Sequence, residues 1–344
     1  MSAPPERTRS LSVVVPVYRS RATLNELHRR LAAVLVPLAR EFEIVFVEDC
    51  GGDDSWETIR GLVDLDPRVR GIRLSRNYGQ HNALLCGIRA ARFEIVVTLD
   101  DDLQNPPEEI PRLLRKLDEG YDVVYGSPER ERHGLFRDLA SQITKFVLQN
   151  AMGASIARRV SAFRAFRTHL RNAFLNYHGP YVSIDVLLTW GTTRFAYVVV
   201  AHEPRTVGAS NYTMRKLITH ALNMVTGFST GPLQLASIIG FGFTLVGCLA
   251  LAYVLGTYLV NGGSVPGFAF LASMIAIFAG AQLFALGIIG EYLARMHFRS
   301  MDRPPYVVLD EAAAHARAAG SRQDPANSPS RSTAGGPAGH ADEP

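Results

Sequence analysis

Cysteine and tryptophan are scarce in this chain. Its 344 residues include three cysteines, Cys50, Cys86 and Cys248, and tryptophan stands only at positions 56 and 190. An odd number of cysteines without a metal-type spacing argues against a disulfide framework and a metal cluster, and it fits a reducing compartment. The first ten residues are polar and the next apolar stretch is short, which predicts that no signal peptide is present. No internal repeat is evident.

Charge is missing from one long region. No Lys, Arg, Asp or Glu occurs from residue 217 to residue 290. Within it, residues 231–259 and 267–290 are each long enough to cross a hydrocarbon core, which takes about 20 residues of helix. Two buried core helices are the alternative, but two consecutive uncharged runs of this length favour a pair of transmembrane helices joined by "VNGGSVPG".

Basic residues flank the apolar pair on both sides. Arg215 and Lys216 precede it, Arg295, Arg299 and Arg303 follow it, and the connecting hairpin has no charge. Because positive residues remain on the cytoplasmic side, this pattern predicts a multi-pass protein of the cell (inner) membrane with both termini and the large N-terminal region in the cytoplasm. The modest net charge of +4 indicates anionic lipid or phosphate partners and no nucleic acid.

Shorter segments complete the predicted organisation. The apolar residues after Thr213 recur at helical spacing, which predicts an amphipathic helix lying at the membrane interface. The end of the chain is rich in Ala, Gly, Pro and Ser, a composition typical of disorder. The predicted divisions are an N-terminal tail 1–10, a catalytic domain 11–212, an interfacial helix 213–230, a transmembrane hairpin 231–290, a juxtamembrane segment 291–310 and a disordered tail 311–344.

The first hundred residues alternate between strand-like and helix-like patterns. Apolar strand-like runs such as "LSVVVPVY" and "FEIVFVED" alternate with helical runs such as 23–40 and "QHNALLCGIRAA". A β-α-β-α-β-α-β series predicts a Rossmann-like α/β fold with a mostly parallel sheet. Such sheets bind ligands beyond the carboxyl ends of their strands. Two acidic clusters stand at predicted strand ends, "VEDCGGDD" and "LDDDLQ".

The second acidic cluster predicts a metal site. Asp100 and Asp102 converge on one ligand if the strand breaks into a turn, and Pro106 and Pro107 favour that break. Carboxylates this close repel one another unless a cation satisfies them. Mg²⁺ or Mn²⁺, held by one or two carboxylates and substrate phosphates, is the simplest such cation.

Two other interpretations of this cluster were weighed. A calcium loop of the EF-hand type is set aside, because Gln104 and Asn105 stand where that loop needs an Asp or Asn and then a Gly. A solvated acidic turn that precedes a helix starting near Pro107 stays open on the residues alone.

Seven motifs, in order, resemble those of the family-2 glycosyltransferases. They are "SVVVPVY", "VEDCGGDDS", "LSRNYGQHNALLCGI", "TLDDDLQNPPEEI", "SAFRAFR", "HEPRTVGASNYTMRKL" and "FSTGPL", followed by the apolar pair and "GEYL". The subgroup that this chain resembles is the polyprenyl-phosphate glycosyltransferases, similar to dolichyl-phosphate mannose synthase and its bacterial relatives. The resemblance spans about residues 10–308 and implies a GT-A fold.

The resemblance implies a donor site at the carboxyl edge of the sheet. A nucleotide sugar, UDP- or GDP-linked, would bind there with its diphosphate bridged by Mg²⁺ or Mn²⁺, which neutralises the charge of the leaving group. Metal and diphosphate would be held by Asp100, Asp102 and Gln104. The residues implied for nucleotide-sugar binding are Pro16, Tyr18, Asp49, Asp53, Asp101 and Gln104.

The acceptor implied by the resemblance is a polyprenyl phosphate, and the expected reaction is inverting. A phosphate monoester is already an anionic nucleophile, so the transfer has little need of a general base. Cationic and hydroxyl side chains near the membrane would hold it. For Arg215 and Lys216, plain membrane anchoring is the alternative. The candidates for this role are Arg164, which is also a catalytic candidate, Arg205, Ser210, Tyr212, Arg215 and Lys216.

Departures from the family pattern occur at four positions. Ser20 replaces a common acidic residue, Cys50 a glycine, Ala162 an aspartate and Pro128 an arginine. The replacements at positions 20 and 50 affect the nucleoside contacts that the resemblance implies, and the one at position 162 removes a possible base. The roles of two sets of residues stay open. The loop residues Arg130, Arg132 and His133 would compensate for Pro128 or lie in solvent. Asp185 would face the sugar or cap a helix.

Two rival functions compete with this interpretation. A processive polysaccharide synthase is disfavoured, because its usual Gln-x-x-Arg-Trp motif is absent and it has more membrane helices. A catalytically inactive membrane adaptor is disfavoured by the intact acidic motif. A homo-oligomer is also expected if Gly240, Gly242 and Gly247 allow close helix packing. The predicted product is a lipid-linked sugar for modification of cell-envelope glycans or glycoconjugates.

Overall fold

The computed structural model describes residues 9–128, 154–157, 159–179, 182–203, 231–261 and 267–314. Strands and helices alternate through the N-terminal half, as the sequence predicts. The elements are β1 Ser10–Val17, α1 Arg21–Leu38, β2 Glu41–Glu48, α2 Ser55–Leu65, β3 Val69–Leu74, α3 Gln80–Ala90, β4 Ile95–Thr98, α4 Ile110–Asp118, β5 Val123–Pro128, α5 Ala154–Ala157, β6 Arg164–Arg167, α6 Ile184–Thr189, β7 Phe195–Val200, α7 Gly231–Asn261, α8 Phe268–Ser300 and β8 Val308–Ala313.

The strands form one mixed, mostly parallel sheet. Its order is β7-β5-β6-β4-β1-β2-β3-β8. Strands β1, β2, β3 and β4 pair in parallel, as do β5 and β7, whereas β6 and β8 run antiparallel to their neighbours. The prediction of a mostly parallel α/β sheet is therefore confirmed. The carboxyl ends of six strands and the first residue of β6 lie at the same edge.

Apolar side chains fill both faces of the sheet. Strand β1 shows the period of two: Val13 and Val15 join the core that includes α1, α2 and α4, whereas Val14 joins the core that includes α3 and α6. Helix α1 contributes one buried stripe, Leu24, Leu27, Leu31 and Leu35. Burial on both faces explains why the central strands read as continuous apolar runs.

Helix α3 lies unusually close to the sheet because of a glycine. A Cβ added at Gly87 would collide with the side chain of Val14 and would lie 3.0 Å from Val47 Cγ2. The absence of a side chain therefore sets the distance between α3 and strands β1 and β2. This helix begins directly at the functional edge of the sheet, so its placement affects the site described below.

The predicted start of the disordered tail at residue 311 is wrong. Residues Glu311 to Ala313 belong to β8, which pairs antiparallel with β3. The segment finds backbone hydrogen-bond partners on the edge of β3. A prediction from composition could not include those partners, because it weighs the segment only against its sequence neighbours in the Ala- and Gly-rich tail.

Helices α7 and α8 are the predicted membrane pair. Their apolar spans, Gly231–Val260 and Ile277–Ser300, are long enough to cross a bilayer, and their most apolar windows are not buried inside the protein. Large exposed apolar surfaces of this kind mark contact with lipid, and the chain is a membrane protein. Gly247 packs within the pair, because a Cβ there would lie 2.9 Å from Phe278 Cζ. Gly247 therefore allows close packing of α7 on α8 within the hairpin.

We expect Gly87→Ala to destabilise the protein by about 1–3 kcal/mol, because overpacking against Val14 outweighs the about 1 kcal/mol that alanine gains in a helix. Gly61→Ala is the matched control, since it lies in helix α2 with no atom within 4 Å of the added Cβ. This control should be neutral or stabilising. Thermal unfolding of the detergent-solubilised variants checks both, and equal midpoints for the two would contradict the expectation.

Candidate active site

Four strand-end loops and the start of β6 enclose one cavity at the carboxyl edge of the sheet. The loops follow β1, β2, β3 and β4, and the cavity has a volume of about 630 Å³. Ligand sites commonly have about 300–1,000 Å³, so the space suits a small molecule. The lining consists of Pro16, Val17, Tyr18, Arg19, Ser20, Ala22, Thr23, Asp49, Asn77, Gly79, Gln80, His81, Leu84, Asp100, Asp101, Asp102, Gln104, Val160, Ser161, Ala162, Arg164 and Asp185.

The acidic turn after β4 brings two carboxylates to the same cavity. Strand β4 ends at Thr98, and Leu103 takes a left-handed φ of 62° that reverses the chain. Asp102 Oδ1 accepts the backbone amide of Gln104 at 3.1 Å. Gln80 Nε2 donates to Asp100 Oδ1 at 2.6 Å. The expected break of the strand is present, and Asp100 and Asp102 line one cavity.

The middle aspartate of the cluster ties two loops together. Asp101 Oδ2 accepts the backbone amide of Tyr18 at 3.0 Å. Burial raises the pKa of Asp101 to about 6, although hydrogen bonds from Ser20 and from the amide of Tyr18 favour the charged form. This carboxylate therefore fixes the position of the loop after β1 relative to the metal motif.

Asp49 holds the loop after β3. Its two oxygens accept the backbone amides of Tyr78 and Gly79, each at 2.7 Å. Burial raises the pKa of Asp49, while these two amides lower it. The next residue, Cys50, has a left-handed φ of 52°. Glycine adopts this conformation without steric cost, which is a physical reason why many relatives carry glycine here.

Asp53 does not line the cavity. Its Oδ2 accepts the hydroxyl of Ser55 at 2.9 Å and the amide of Arg21 at 3.4 Å. It therefore joins the starts of α1 and α2. A contact between Asp53 and a nucleoside stays a prediction.

A buried polar triad joins β5, β6 and α6 at the cavity. Arg164 has a relative exposure of 1%, and its Nη1 donates to Asp185 Oδ1. The hydroxyl of Tyr125, also fully buried, donates to the same oxygen at 3.1 Å. Burial and the charge of Asp185 raise the pKa of Tyr125, so this hydroxyl stays protonated and donates. Asp185 is thus the ion-pair partner of Arg164.

The residues present fit a divalent cation. Five aspartates and two arginines line the described cavity, so an anionic diphosphate would meet an excess of negative charge. Among the described residues, no three His, Cys, Asp or Glu side chains form a complete metal site. A pair of carboxylates completed by phosphate and water oxygens is the arrangement that Mg²⁺ uses at phosphate-transfer sites.

Several lining residues were not assigned a role from the sequence. They include Arg19, Asn77, Gln80, His81 and Ser161. Gln80 and His81 follow the loop after β3, so the strand-end rule that singled out the acidic clusters would also have found them. Nδ1 of His81 accepts the amide of Ile184 at 3.4 Å, which links α3 to α6.

Part of the predicted site lies outside the described residues. This applies to the loop candidates near Pro128, to the interfacial helix 213–230 and to most acceptor candidates. The residues concerned are Arg130, Arg132, His133, Arg205, Ser210, Tyr212, Arg215 and Lys216.

Among solved structures, glucosyl-3-phosphoglycerate synthase from Mycobacterium tuberculosis with Mn²⁺, UDP and phosphoglyceric acid is 19% identical to this chain. The match has a TM-score of 0.46 and covers 64% of this chain and 77% of the other. A likeness of this size supports no inference about ligands.

Sequence comparisons are more informative. The family model described as "Glycosyl transferase family 2" matches residues 12–174. A protein of Yersinia pestis (strain Pestoides F) named undecaprenyl-phosphate 4-deoxy-4-formamido-L-arabinose transferase is 35% identical over 310 residues, which is 88% of this chain and 94% of the relative. A protein of the same name from Klebsiella pneumoniae is 35% identical over 303 residues, 87% of this chain and 93% of the relative. The chain therefore belongs to glycosyl transferase family 2 and is a glycosyltransferase.

Proposed function

We propose that this enzyme transfers a sugar from a nucleotide sugar to polyprenyl phosphate, with inversion, at the cytoplasmic face of the cell membrane. The observation that carries this proposal is the cavity with paired Asp100 and Asp102 on a chain with two membrane helices. The name of the 35% identical relatives, undecaprenyl-phosphate 4-deoxy-4-formamido-L-arabinose transferase, supports both the lipid acceptor and a sugar of this kind.

The donor occupies the cavity in this proposal. Pro16, Tyr18 and Asp49 line its side formed by the loops after β1 and β2, and they would contact the nucleoside. Asp53 would affect nucleoside binding indirectly, because it bonds to residues at the starts of α1 and α2. A direct contact with the nucleoside would require the loop after β2 to move. UDP and GDP are both compatible with this lining.

Asp100 and Asp102, with Gln104 beside them, would hold Mg²⁺ or Mn²⁺ together with the donor diphosphate. When bound, the cation acts as a Lewis acid that neutralises the charge developing on the leaving diphosphate. Gln80 and the amide of Gln104 orient these carboxylates through hydrogen bonds.

The acceptor phosphate would approach from the segment that follows β7. Glu203, the last described residue before that segment, donates its amide to the carbonyl of Gln104 at 2.9 Å. Arg30 holds Glu203 and Glu108 in ion pairs at 3.1 and 2.7 Å. Arg205 belongs to the sequence beyond Glu203 and is the proposed ligand of the acceptor phosphate, because a guanidinium suits a phosphate.

Arg164 takes a different part in this proposal. Its charge is balanced by Asp185 and it is fully buried, so it is less suited than Arg205 to receive a mobile lipid phosphate. It would instead present the guanidinium of a fixed ion pair to the cavity, where negative charge gathers during transfer. Because the acceptor is already an anion, Asp185 is not needed as a general base.

Membrane orientation follows from the flanking charges. Basic residues stand on the domain side of both helices and none on the hairpin, which supports a cytoplasmic catalytic domain. A homo-oligomer through the helices would use Gly240 and Gly242, which have no described atom within 4 Å of an added Cβ.

The first test is release of nucleoside diphosphate by the detergent-purified protein from a panel of UDP- and GDP-sugars, including UDP-4-deoxy-4-formamido-L-arabinose. Release should require both Mg²⁺ or Mn²⁺ and undecaprenyl phosphate. A folded protein that releases no nucleoside diphosphate from any of these donors in the presence of the lipid would refute the proposal.

Asp102→Asn should lower kcat by about 10²–10³, the range seen when one group that stabilises transition-state charge is removed. The matched control is Asp54→Asn, a neighbouring edge residue that pairs with Arg21 in solvent and does not line the cavity. Steady-state kinetics on the active donor compares the two. Equal activity of both variants would exclude Asp102 from the metal site.

Asp185→Ala should destabilise the protein by about 3–5 kcal/mol, because it leaves the buried charge of Arg164 unpaired. The double variant Arg164→Met with Asp185→Leu should recover most of that stability, since apolar side chains of similar size can replace a buried ion pair. It should not recover activity. Thermal unfolding and nucleotide release separate the two effects, and an active double variant would show that the pair is only structural.

A further inference from the structure

The segment after the second membrane helix returns to the catalytic domain and stays bound to it. Helix α8 ends at Ser300, and Asp302 takes a left-handed φ of 47° that turns the chain. Its Oδ1 lies 2.6 Å from His178 Nδ1, so the turn contacts the domain at once. We use the name "return strap" for residues 302–313.

The strap packs on helix α3. Tyr306 is partly buried against the core that contains α3, and Cys86 and Arg89 of that helix lie beside it. The guanidinium of Arg89 lies 5.7 Å from the ring centroid of Tyr306 and donates to the carbonyl of Tyr177 at 2.8 Å. Burial raises the pKa of the Cys86 thiol to about 12, so the thiol stays neutral as a partner in this contact.

The strap also holds the loop after β3. The carbonyl of Val307 accepts the amide of Ser75 at 2.9 Å, and β8 then pairs with β3 along its length. Ser75 Oγ lies 3.0 Å from the hydroxyl of Tyr78. The strap thus fixes the first residue of the loop and, through Ser75, the side chain of Tyr78.

The same loop ends in the cavity. The amides of Tyr78 and Gly79 bind Asp49, and Gln80 binds Asp100. Six consecutive residues, 75–80, therefore connect the strap to the carboxylates on two sides of the donor cavity. Among the described contacts, this is a short hydrogen-bonded route from the end of a membrane helix to the proposed metal site.

We propose that the return strap positions the loop 75–80 and thereby preorganises the donor cavity, with Tyr306 as the main positioning residue. The loop exposes Ser75, Arg76 and Asn77 to solvent, and loops of this kind open locally unless a packed contact holds them. What the loop binds rests on the proposed function, whereas the mechanical link does not. Because the return strap follows α8 in the chain, its binding to the catalytic domain depends on the position of the membrane hairpin. Formation of the donor site would then depend on that hairpin as well.

Hydrogen–deuterium exchange of the full chain in detergent tests the link without any assay of activity. Tyr306→Ala should speed exchange of the amides in residues 75–82 by about tenfold or more. In the wild type, opening of this loop must break the packing of the return strap, and the variant lacks that packing. Exchange in β1 and β4 should stay unchanged. Tyr306→Phe keeps the packing and should restore most of the protection. Leu309→Ala, at an exposed position of the return strap, is the matched control and should have no effect.

The kinetic counterpart uses the donor found active in the release assay. Tyr306→Ala should raise the KM for that donor several-fold and leave the KM for undecaprenyl phosphate unchanged. Phe42→Ala, at the amino-terminal end of β2 and so at the end of the sheet away from the cavity, should destabilise the fold without a selective rise in the KM for the donor. If Tyr306→Ala does not fold, Tyr306→Leu replaces it.

Unchanged exchange in residues 75–82, or equally faster exchange throughout the protein, would overturn the proposal. A wild-type protein that releases no nucleoside diphosphate would instead refute the proposed function and leave the exchange result valid. A chain that ends at Ala314 should behave as the full chain, whereas one that ends at Ser300 should show the fast exchange of Tyr306→Ala. Identical protection in these two chains would also contradict a role for the strap.

Discussion

Carboxylates that accept backbone amides from the neighbouring loop give the cavity its shape. Asp101 binds the amide of Tyr18 and so joins the loops after β4 and β1, and Asp49 binds Tyr78 and Gly79 and so joins the loops after β2 and β3. Bonds to a charged acceptor are stronger than bonds between neutral groups. They offset part of the effect of burial, which raises the pKa of both aspartates. The cavity residues on these four loops depend on this frame, whereas Arg164 and Asp185 stand on β6 and α6.

Electrostatics then determines what can enter. The described lining has more carboxylates than guanidiniums, and one of the two arginines, Arg164, is balanced by Asp185. A nucleoside diphosphate would be repelled by such a surface unless a cation accompanied it. The frame and the proposed metal site therefore have the same origin, a concentration of aspartates at one sheet edge. The aspartates that hold the loops through backbone amides of a neighbouring loop are distinct from Asp100 and Asp102, which also line the cavity.

The membrane hairpin is connected to this frame at its second end. Without β8, strand β3 would be an open edge, and such an edge exposes unpaired backbone groups. With β8 in place, the edge is covered by a segment that comes directly from helix α8. The proposed transfer from a water-soluble donor to a lipid acceptor needs a site whose position relative to the bilayer is defined. A strand of the catalytic sheet that continues a membrane helix provides such a connection.

Local sequence pattern was sufficient to predict the alternation of strands and helices, the ends of β1, β2 and β4, the acidic turn and the two membrane helices. Each of these features depends on spacing or charge within about 20 neighbouring residues. Only the tertiary structure showed that Asp53 faces the helix starts, that Asp185 pairs with Arg164, that Gln80 reaches Asp100 and that residues 308–313 form a strand. Each of these features depends on contacts between different secondary-structure elements. Their formation depends on how the sheet orders its strands, and no local periodicity in the sequence encodes that order.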